Sequence, residues 1–235
     1  GDVAELGLWC VDLLPRPDLD RLADAEARAR AADPAFDENA TPLDDPAVLR
    51  AVCEGPALDS TALGDRGFRD LLRRLQPGRF TDLVAAWSLW RDPVDAGMVD
   101  ALVERRHGRV PADPPVPCLG PHLGETYGLL LYQEQVIRVA REVAGLAAEE
   151  AAGMRRGLAT RNPTEVARCR AAFVSGAAGR GVPEPEACAA FDLLEARTAA
   201  AFCKGHAACE TLLAWRFARA GTQRAATRTK PFPRA

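Results

Sequence analysis

The chain has 235 residues, a formal net charge of −3, 48% hydrophobic residues and 27% charged residues. This composition is typical of a globular protein, and the length suffices for one large or two small domains. It contains no run of 18 apolar residues and begins with an acidic stretch, which argues against a membrane span and a signal peptide. Seven irregularly spaced cysteines do not suggest a disulfide framework, so we expect a cytoplasmic protein.

The first half of the chain shows several helical patterns. Residues 18–32 repeat apolar side chains at helical spacing and begin with acids, which favour a helix N-terminus. Asp45 followed by Pro46 predicts a second helix, with the aspartate as its cap and the proline in its first turn. Further helices are predicted near 66–75, ending before Pro77, and over the apolar segment 80–90.

Residues 108–123 are rich in proline and glycine, which predicts a loop or a domain junction. A core helix over 128–144 is expected next, because apolar residues recur at three- and four-residue spacing after the run Leu129–Leu131. Gly145 is a plausible C-terminal stop for this helix. We interpret the polar triplet 133–135 as the solvated start of the helix.

The remaining sequence predicts helices near 147–158, 163–175, 185–198 and 205–219, separated by Asn-Pro and Gly-Pro breaks. No segment shows the alternating pattern of a half-buried strand, and no internal repeat is evident. The sequence therefore predicts a mainly α, multi-helix fold with little or no sheet.

Several segments resemble, in the same order, the fingers region of the bacterial DNA polymerase III alpha subunit, the C-family replicative polymerase. The resemblance extends from about Leu6 to Arg219. The segments are GLWCVDLLPR (7–16), TPLDDPAVL (41–49), GFRDLLRRLQPGRFTDLVAA (67–86), GMVDALVERRHG (97–108), TYGLLLYQEQV (126–136), MRRGLATRNPTEV (154–166) and FCKGHAAC (202–209). Multiple ordered matches indicate common ancestry more strongly than one short motif does.

The resemblance implies template-directed nucleotidyl transfer in DNA replication, with DNA or nucleotide as partner. Such chemistry uses two Mg²⁺ ions held by three aspartates. Asp12 stands at the position of the third catalytic, metal-binding carboxylate. Arg155 and Arg156 would face the triphosphate, as would Lys204 and His206 at a helix N-terminus. Without the resemblance, an aspartate that caps a turn and a solvated arginine pair would be the simpler interpretations.

The resemblance also implies a division of the chain. Residues 1–110 would hold the third-carboxylate segment and the first helical part of the fingers-like region. Residues 111–124 would form the Pro/Gly-rich junction, residues 125–220 the helical fingers-like core, and residues 221–235 a basic tail.

The sequence departs from the family pattern at chemical positions. The family's paired aspartates belong to a segment before residue 1, and Cys10 replaces a basic residue near Asp12. The glycine-lysine-lysine after the arginine pair is Ala159-Thr160-Arg161, and the last motif carries Cys203 and Gly205 in place of asparagine and serine. We expect a divergent or stand-alone relative of the family. It would be a nucleotidyltransferase by descent that does not polymerise alone, that is, a pseudoenzyme.

The sequence is also compatible with two other functions. Cys10, Cys203, His206 and Cys209, together with Asp12, could form a repurposed enzyme site that binds Zn²⁺ or another transition metal. The simpler interpretation is that the cysteines are small buried side chains that fill space. Alternatively, the acidic first part and basic tail would suit a non-catalytic interaction protein that docks a partner or self-associates.

Overall fold

The computed structural model describes residues 7, 15–37, 40, 43–54, 64–91 and 96–228. Within these ranges the chain is built from α-helices joined by short turns, and no strand is formed there apart from one isolated bridge. The predicted mainly α fold is therefore confirmed. None of the helices in the described ranges has the length and apolar character needed to cross a membrane.

Eleven α-helices lie in the described part of the chain. In order they are α1 Pro17–Ala32, α2 Pro46–Glu54, α3 Arg66–Leu75, α4 Phe80–Arg91, α5 Ala96–Arg106, α6 Gly120–Leu123, α7 Gln133–Glu142, α8 Ala148–Thr160, α9 Pro163–Ala178, α10 Glu184–Thr198 and α11 Lys204–Arg228.

Local capping explains why several predicted boundaries are confirmed. The Asp45 carboxylate accepts a hydrogen bond from Ala47 N at 2.8 Å, at the start of α2. The Asn162 side chain accepts from the amides of residues 164 and 165 and caps α9, which has Pro163 in its first turn. Gly145 adopts φ +70° beyond the end of α7, as expected for a glycine stop. These capping residues act on neighbours a few positions away, so their effect can be predicted from the sequence.

The predicted helix over 128–144 is shorter than expected, because α7 begins only at Gln133. The apolar run 129–131 precedes it as a connecting segment, and Tyr132 pairs with Phe202 across an isolated parallel bridge. In this bridge Phe202 N donates to Leu131 O at 2.8 Å, and Gln133 N donates to Phe202 O at 2.9 Å. These hydrogen bonds to a distant segment replace the helical ones that the pattern predicted.

The polar triplet 133–135 does begin a helix and Glu134 is exposed, as expected, but the triplet is not solvated throughout. Gln135 is 5% exposed, and its side-chain oxygen accepts from Leu131 N and Tyr132 N at 2.8 and 2.9 Å. Its side-chain amide donates to Thr126 Oγ1 at 2.7 Å. The glutamine is thus a buried connector between the extended segment and α7.

Three further boundaries differ from the expectation. The Pro/Gly-rich segment is not a plain loop, since it contains α6 and the 3₁₀ turns Pro117–Leu119 and Gly124–Thr126. Helix α5 was not predicted from its pattern. Helix α11 continues to Arg228, so the expected basic tail begins inside a helix. Residues 229–235 of that tail lie outside the described ranges.

The buried apolar side chains form two large clusters. The first cluster joins α2 to α5 with α11, and its largest fully buried side chain is Trp215. The second cluster joins α6 to α10 and is centred on Phe173 and Phe191. Helix α11 packs against α1, α2 and α4, so the last described helix returns to the first half of the chain.

The apolar run 129–131 lies between these two clusters. Leu129 and Leu131 belong to the first cluster, whereas Leu130 belongs to the second. Alternation of this kind is what an extended segment produces when it is buried on both faces. The run therefore connects the two cores.

Candidate functional site

Arg155 and Arg156 lie in the middle of α8. Met154 and Leu158 on the same helix are buried in the second cluster, while Arg155 is half-buried and Arg156 is exposed. Neither guanidinium forms an ion pair with any residue in the described ranges. Two unneutralised arginines in succession are suited to bind an external anion, such as a phosphate.

Lys204 and His206 lie in the first turn of α11, where backbone amides favour a negative charge. A carboxylate of the same chain already occupies this position. Glu134 accepts from Lys204 N at 2.9 Å and from Gly205 N at 3.4 Å. The backbone amides at this helix start thus already bind an internal carboxylate.

The side chain of Lys204 is also engaged. Its Nζ lies 2.7 Å from Glu125 Oε2 and 5.7 Å from the centroid of the Tyr132 ring. Both side chains of the Lys204–Glu125 pair are about one-third exposed. A phosphate that reached this helix end would therefore compete with two glutamates, Glu125 and Glu134.

His206 faces the next turn of the same helix. Its Nε2 lies 3.7 Å from Glu210 Oε1, and its ring is 5.5 Å from that of Phe202. Glu210 also accepts a hydrogen bond from the Arg16 guanidinium at 2.7 Å. Glu210 therefore links α11 to the start of α1.

The cationic candidates lie on helices that pack in two different hydrophobic clusters. Arg155 and Arg156 lie on a helix of the second cluster, whereas Lys204 and His206 begin a helix that packs on the first cluster. Asp12, the proposed metal-binding carboxylate, lies outside the described residues. The roles of all five residues stay predictions.

The cysteine residues do not have the arrangement expected of a metal centre within the described ranges, where no group of three His, Cys, Asp or Glu side chains could hold a metal ion. Cys203 Sγ lies 3.6 Å from Glu134 Oε1, and Cys209 borders a surface cavity with Arg16 and Glu210. Both thiols are exposed, so the interpretation as buried space-filling cysteines is wrong for these two. Cys10 lies outside the described residues.

Sequence reasoning missed a buried acidic centre at Asp82, which is 1% exposed. Its carboxylate accepts from the amides of Gly78 and Arg79 at 2.9 and 3.2 Å, and from the Tyr127 hydroxyl at 2.8 Å. The guanidinium groups of Arg79 and Arg106 pair with it at 3.0 and 3.2 Å. The sequence does show an acid in the first turn of an apolar helix, which could have drawn attention to Asp82. Its partners Arg106 and Tyr127 are far away along the chain, so they could not be predicted from the sequence.

Tyr127 completes this centre. Burial and the hydrogen bond to Asp82 raise the pKa of the Tyr127 hydroxyl, so the phenol stays protonated as a donor. The Arg79 guanidinium lies 5.2 Å from the centroid of its ring. Tyr127 has φ +54° and is followed by Gly128 at φ +75°. The negative charge of Asp82 is neutralised by Arg79 and Arg106, and its oxygen atoms are hydrogen-bonded. We therefore infer that this centre has a structural role: it links α4 and α5 to the segment before α7.

Comparison with known proteins identifies the family of the chain. The sequence profile described as the bacterial DNA polymerase III alpha subunit finger domain matches residues 18–181. That range is well over half of the chain and includes Arg155 and Arg156. The chain belongs to this family.

Curated relatives extend the match beyond the finger-domain profile. The DNA polymerase III subunit alpha of Aquifex aeolicus is 36% identical over 166 residues, covering 70% of this chain and 14% of the relative. That of Escherichia coli strain K12 is 35% identical over 194 residues, covering 80% and 17%. That of Thermus aquaticus is 36% identical over 224 residues, covering 93% and 18%.

The Thermus aquaticus match covers 93% of the chain, so the start of α11 with Lys204 and His206 falls within it. The chain spans less than a fifth of the length of these three relatives. The resemblance expected from the ordered segments is therefore confirmed as family membership, and polymerase descent follows from it.

Proposed function

We propose that this chain is a fingers-type module that binds nucleotide and primer–template DNA, and that it does not incorporate nucleotides by itself. The observation that carries the proposal is membership of the DNA polymerase III alpha finger-domain family over a range that includes Arg155 and Arg156. Their guanidinium groups, unpaired within the described ranges, are the cations best placed to contact phosphate oxygens.

In this proposal the protein supplies electrostatic binding. Arg155 and Arg156 contact the triphosphate, and Lys204 with the amides of the first turn of α11 contacts a second anionic group. The resemblance places the third of the implied carboxylates at Asp12. Within the described ranges no group of three His, Cys, Asp or Glu side chains could hold a metal ion, and Asp12 lies outside those ranges.

The first test measures affinity for fluorescently labelled primer–template DNA and for a fluorescent deoxynucleoside triphosphate at low salt. We expect the double variant R155A/R156A to lose about tenfold or more in affinity, because two charge-assisted contacts are removed. The slope of log affinity against log salt for DNA should fall by about two. R138A/R141A removes two exposed arginines of α7 and is the charge-matched control.

Two results would contradict this proposal. Absence of binding to both ligands by the wild-type protein would remove the binding function. An equal loss in R155A/R156A and R138A/R141A would show only non-specific attraction. Incorporation of labelled nucleotide into a primed template by the isolated chain would refute the claim that it does not polymerise alone.

A second test asks whether Glu125 and Glu134 compete with a phosphate group for the start of α11. The probe is inorganic tripolyphosphate, and its binding is measured by calorimetric titration. We expect E125Q to raise affinity about threefold or more, because Lys204 Nζ then loses its acidic partner. The gain should vanish in E125Q/K204A. E142Q is the control, because Glu142 is an exposed glutamate of α7 that pairs with His122, and it should leave affinity unchanged. An unchanged affinity in E125Q would remove Lys204 from the proposed binding site.

A further inference from the structure

A surface cavity of about 600 Å³ lies where three helices meet. The end of α8, the start of α9 and the end of α10 form its walls, and its lining includes Leu158, Arg161, Pro163, Val166, Ala167 and Arg170. A cavity of this volume is within the usual range of small-molecule sites. Arg155 and Arg156 do not line it.

Part of the cavity wall is apolar. Val166 is half-buried and Pro163 and Ala167 are exposed, so their carbon atoms face the opening, whereas Leu158 is 1% exposed and adds almost no accessible surface. Apolar surface that stays open to water is a favourable contact for a ligand with a ring-sized hydrocarbon body.

The two arginines of the cavity differ in their electrostatic state. Arg170 is neutralised by Asp192 and by Glu195, whose carboxylate lies at 3.2 Å, and its guanidinium stacks 4.8 Å from the centroid of the Phe191 ring. Glu165, the acid on the first turn of α9, is paired with Arg168 at 2.8 Å. Arg161 forms no ion pair with any residue in the described ranges. The cavity thus has a fixed, neutral end at Arg170 and an uncompensated positive charge at Arg161.

Arg161 has an unusual backbone for its residue type. It caps the end of α8 with φ +55° and ψ +23°, in the left-handed region that glycine adopts most readily. The substitution R161G therefore removes the guanidinium while suiting the backbone. This gives a test variant that should fold at least as well as the wild-type protein.

We propose that this cavity is a binding site for a small organic anion, whose apolar ring contacts Val166 and Pro163 and whose anionic group pairs with Arg161. A carboxylate, sulfonate or phosphate would satisfy the guanidinium equally, because each presents oxygen atoms to its paired N–H donors. The body must be apolar, since no uncommitted charged group other than Arg161 lines the cavity within the described ranges.

The experiment compares two fluorescent probes that share a ring system. The anion 8-anilinonaphthalene-1-sulfonate carries the negative group, and N-phenyl-1-naphthylamine lacks it. Wild-type protein should bind the anion more tightly than the neutral probe. R161G should lower affinity for the anion about tenfold, leave the neutral probe within about twofold, and abolish the preference. R161K, which keeps the charge, should retain most of the preference.

Two controls locate the effect. R141A removes an exposed arginine of α7 and should leave both affinities unchanged, whereas V166D places a carboxylate on the cavity wall and should weaken both probes. Thermal unfolding checks that each variant is folded. Equal losses in R161G and R141A, a preference that persists in R161G, or unaltered binding in V166D would each overturn the proposal.

Discussion

Asp82 shows how one buried charge can organise several elements. The carboxylate is almost fully removed from water, yet it accepts hydrogen bonds from two amides, a phenol and two arginines. A buried carboxylate with this many donors is stable as long as every donor stays in place. Loss of the negative charge would leave Arg79 and Arg106 facing one another without their common partner.

We expect D82N to destabilise the protein by about 2–4 kcal/mol, because the amide cannot neutralise both guanidinium groups and must turn a donor toward one of them. Urea denaturation followed by circular dichroism measures the change. D100N is the matched control, since Asp100 pairs with Arg74 while 61% exposed and should cost about 0.5 kcal/mol or less. A D82N cost no larger than that of D100N would contradict a structural role for the buried charge.

At the level of elements, helix packing depends on close approach at a few positions. Gly176 of α9 faces the main chain at Ala144, and a Cβ added there would lie 2.1 Å from the Ala144 carbonyl oxygen. Gly153 of α8 is different, because an added Cβ meets only the Arg156 guanidinium at 4.0 Å. The two glycines look alike in sequence, and only the neighbouring helix distinguishes them.

The variants G176A and G153A should therefore change stability in opposite directions. G176A forces α9 away from the end of α7 and should cost about 2 kcal/mol or more. G153A should add about 0.5–1 kcal/mol, since alanine favours the helix more than glycine does. Thermal unfolding of both variants and of the wild-type protein shows whether each substitution lowers or raises stability. Equal effects would show that the α7–α9 contact is looser than the structure indicates.

For the whole molecule, the segment 129–131 contributes side chains to both hydrophobic clusters. Leu130 contributes to the second cluster, and its neighbours Leu129 and Leu131 contribute to the first. The bridge between Tyr132 and Phe202 fixes this segment beside the entry to α11. We expect the two cores to unfold together, because neither can release this segment without exposing apolar surface of the other.

L130A and L131A test this coupling. Each should cost about 2–4 kcal/mol, because a cavity is left in a well-packed core. Each should also shift one common unfolding transition, with hydrogen exchange accelerated in helices of both clusters. L212A truncates a leucine that is 42% exposed and should change stability by about 0.5 kcal/mol or less. Two separated transitions, or faster exchange in one cluster alone, would contradict the coupling.

The sequence by itself determined the class of fold, many helix boundaries and the family. Helix periodicity, Asp45 with Pro46, Asn162 with Pro163, and Gly145 act through neighbours a few residues away, so their effect can be deduced from order along the chain. The ordered family segments indicated ancestry for the same reason: they are strings of adjacent residues.

Only the tertiary structure decided which of the polar residues are already satisfied. Glu134 meets the backbone amide of Lys204, a residue 70 positions later in the chain, and Tyr127 meets Asp82, 45 positions earlier. The same holds for Arg161, which no acid of the described residues neutralises. Such pairings arise from the packing of separate helices, and side-chain spacing along the chain does not encode them. Long-range contact therefore decides which charges remain available to a ligand.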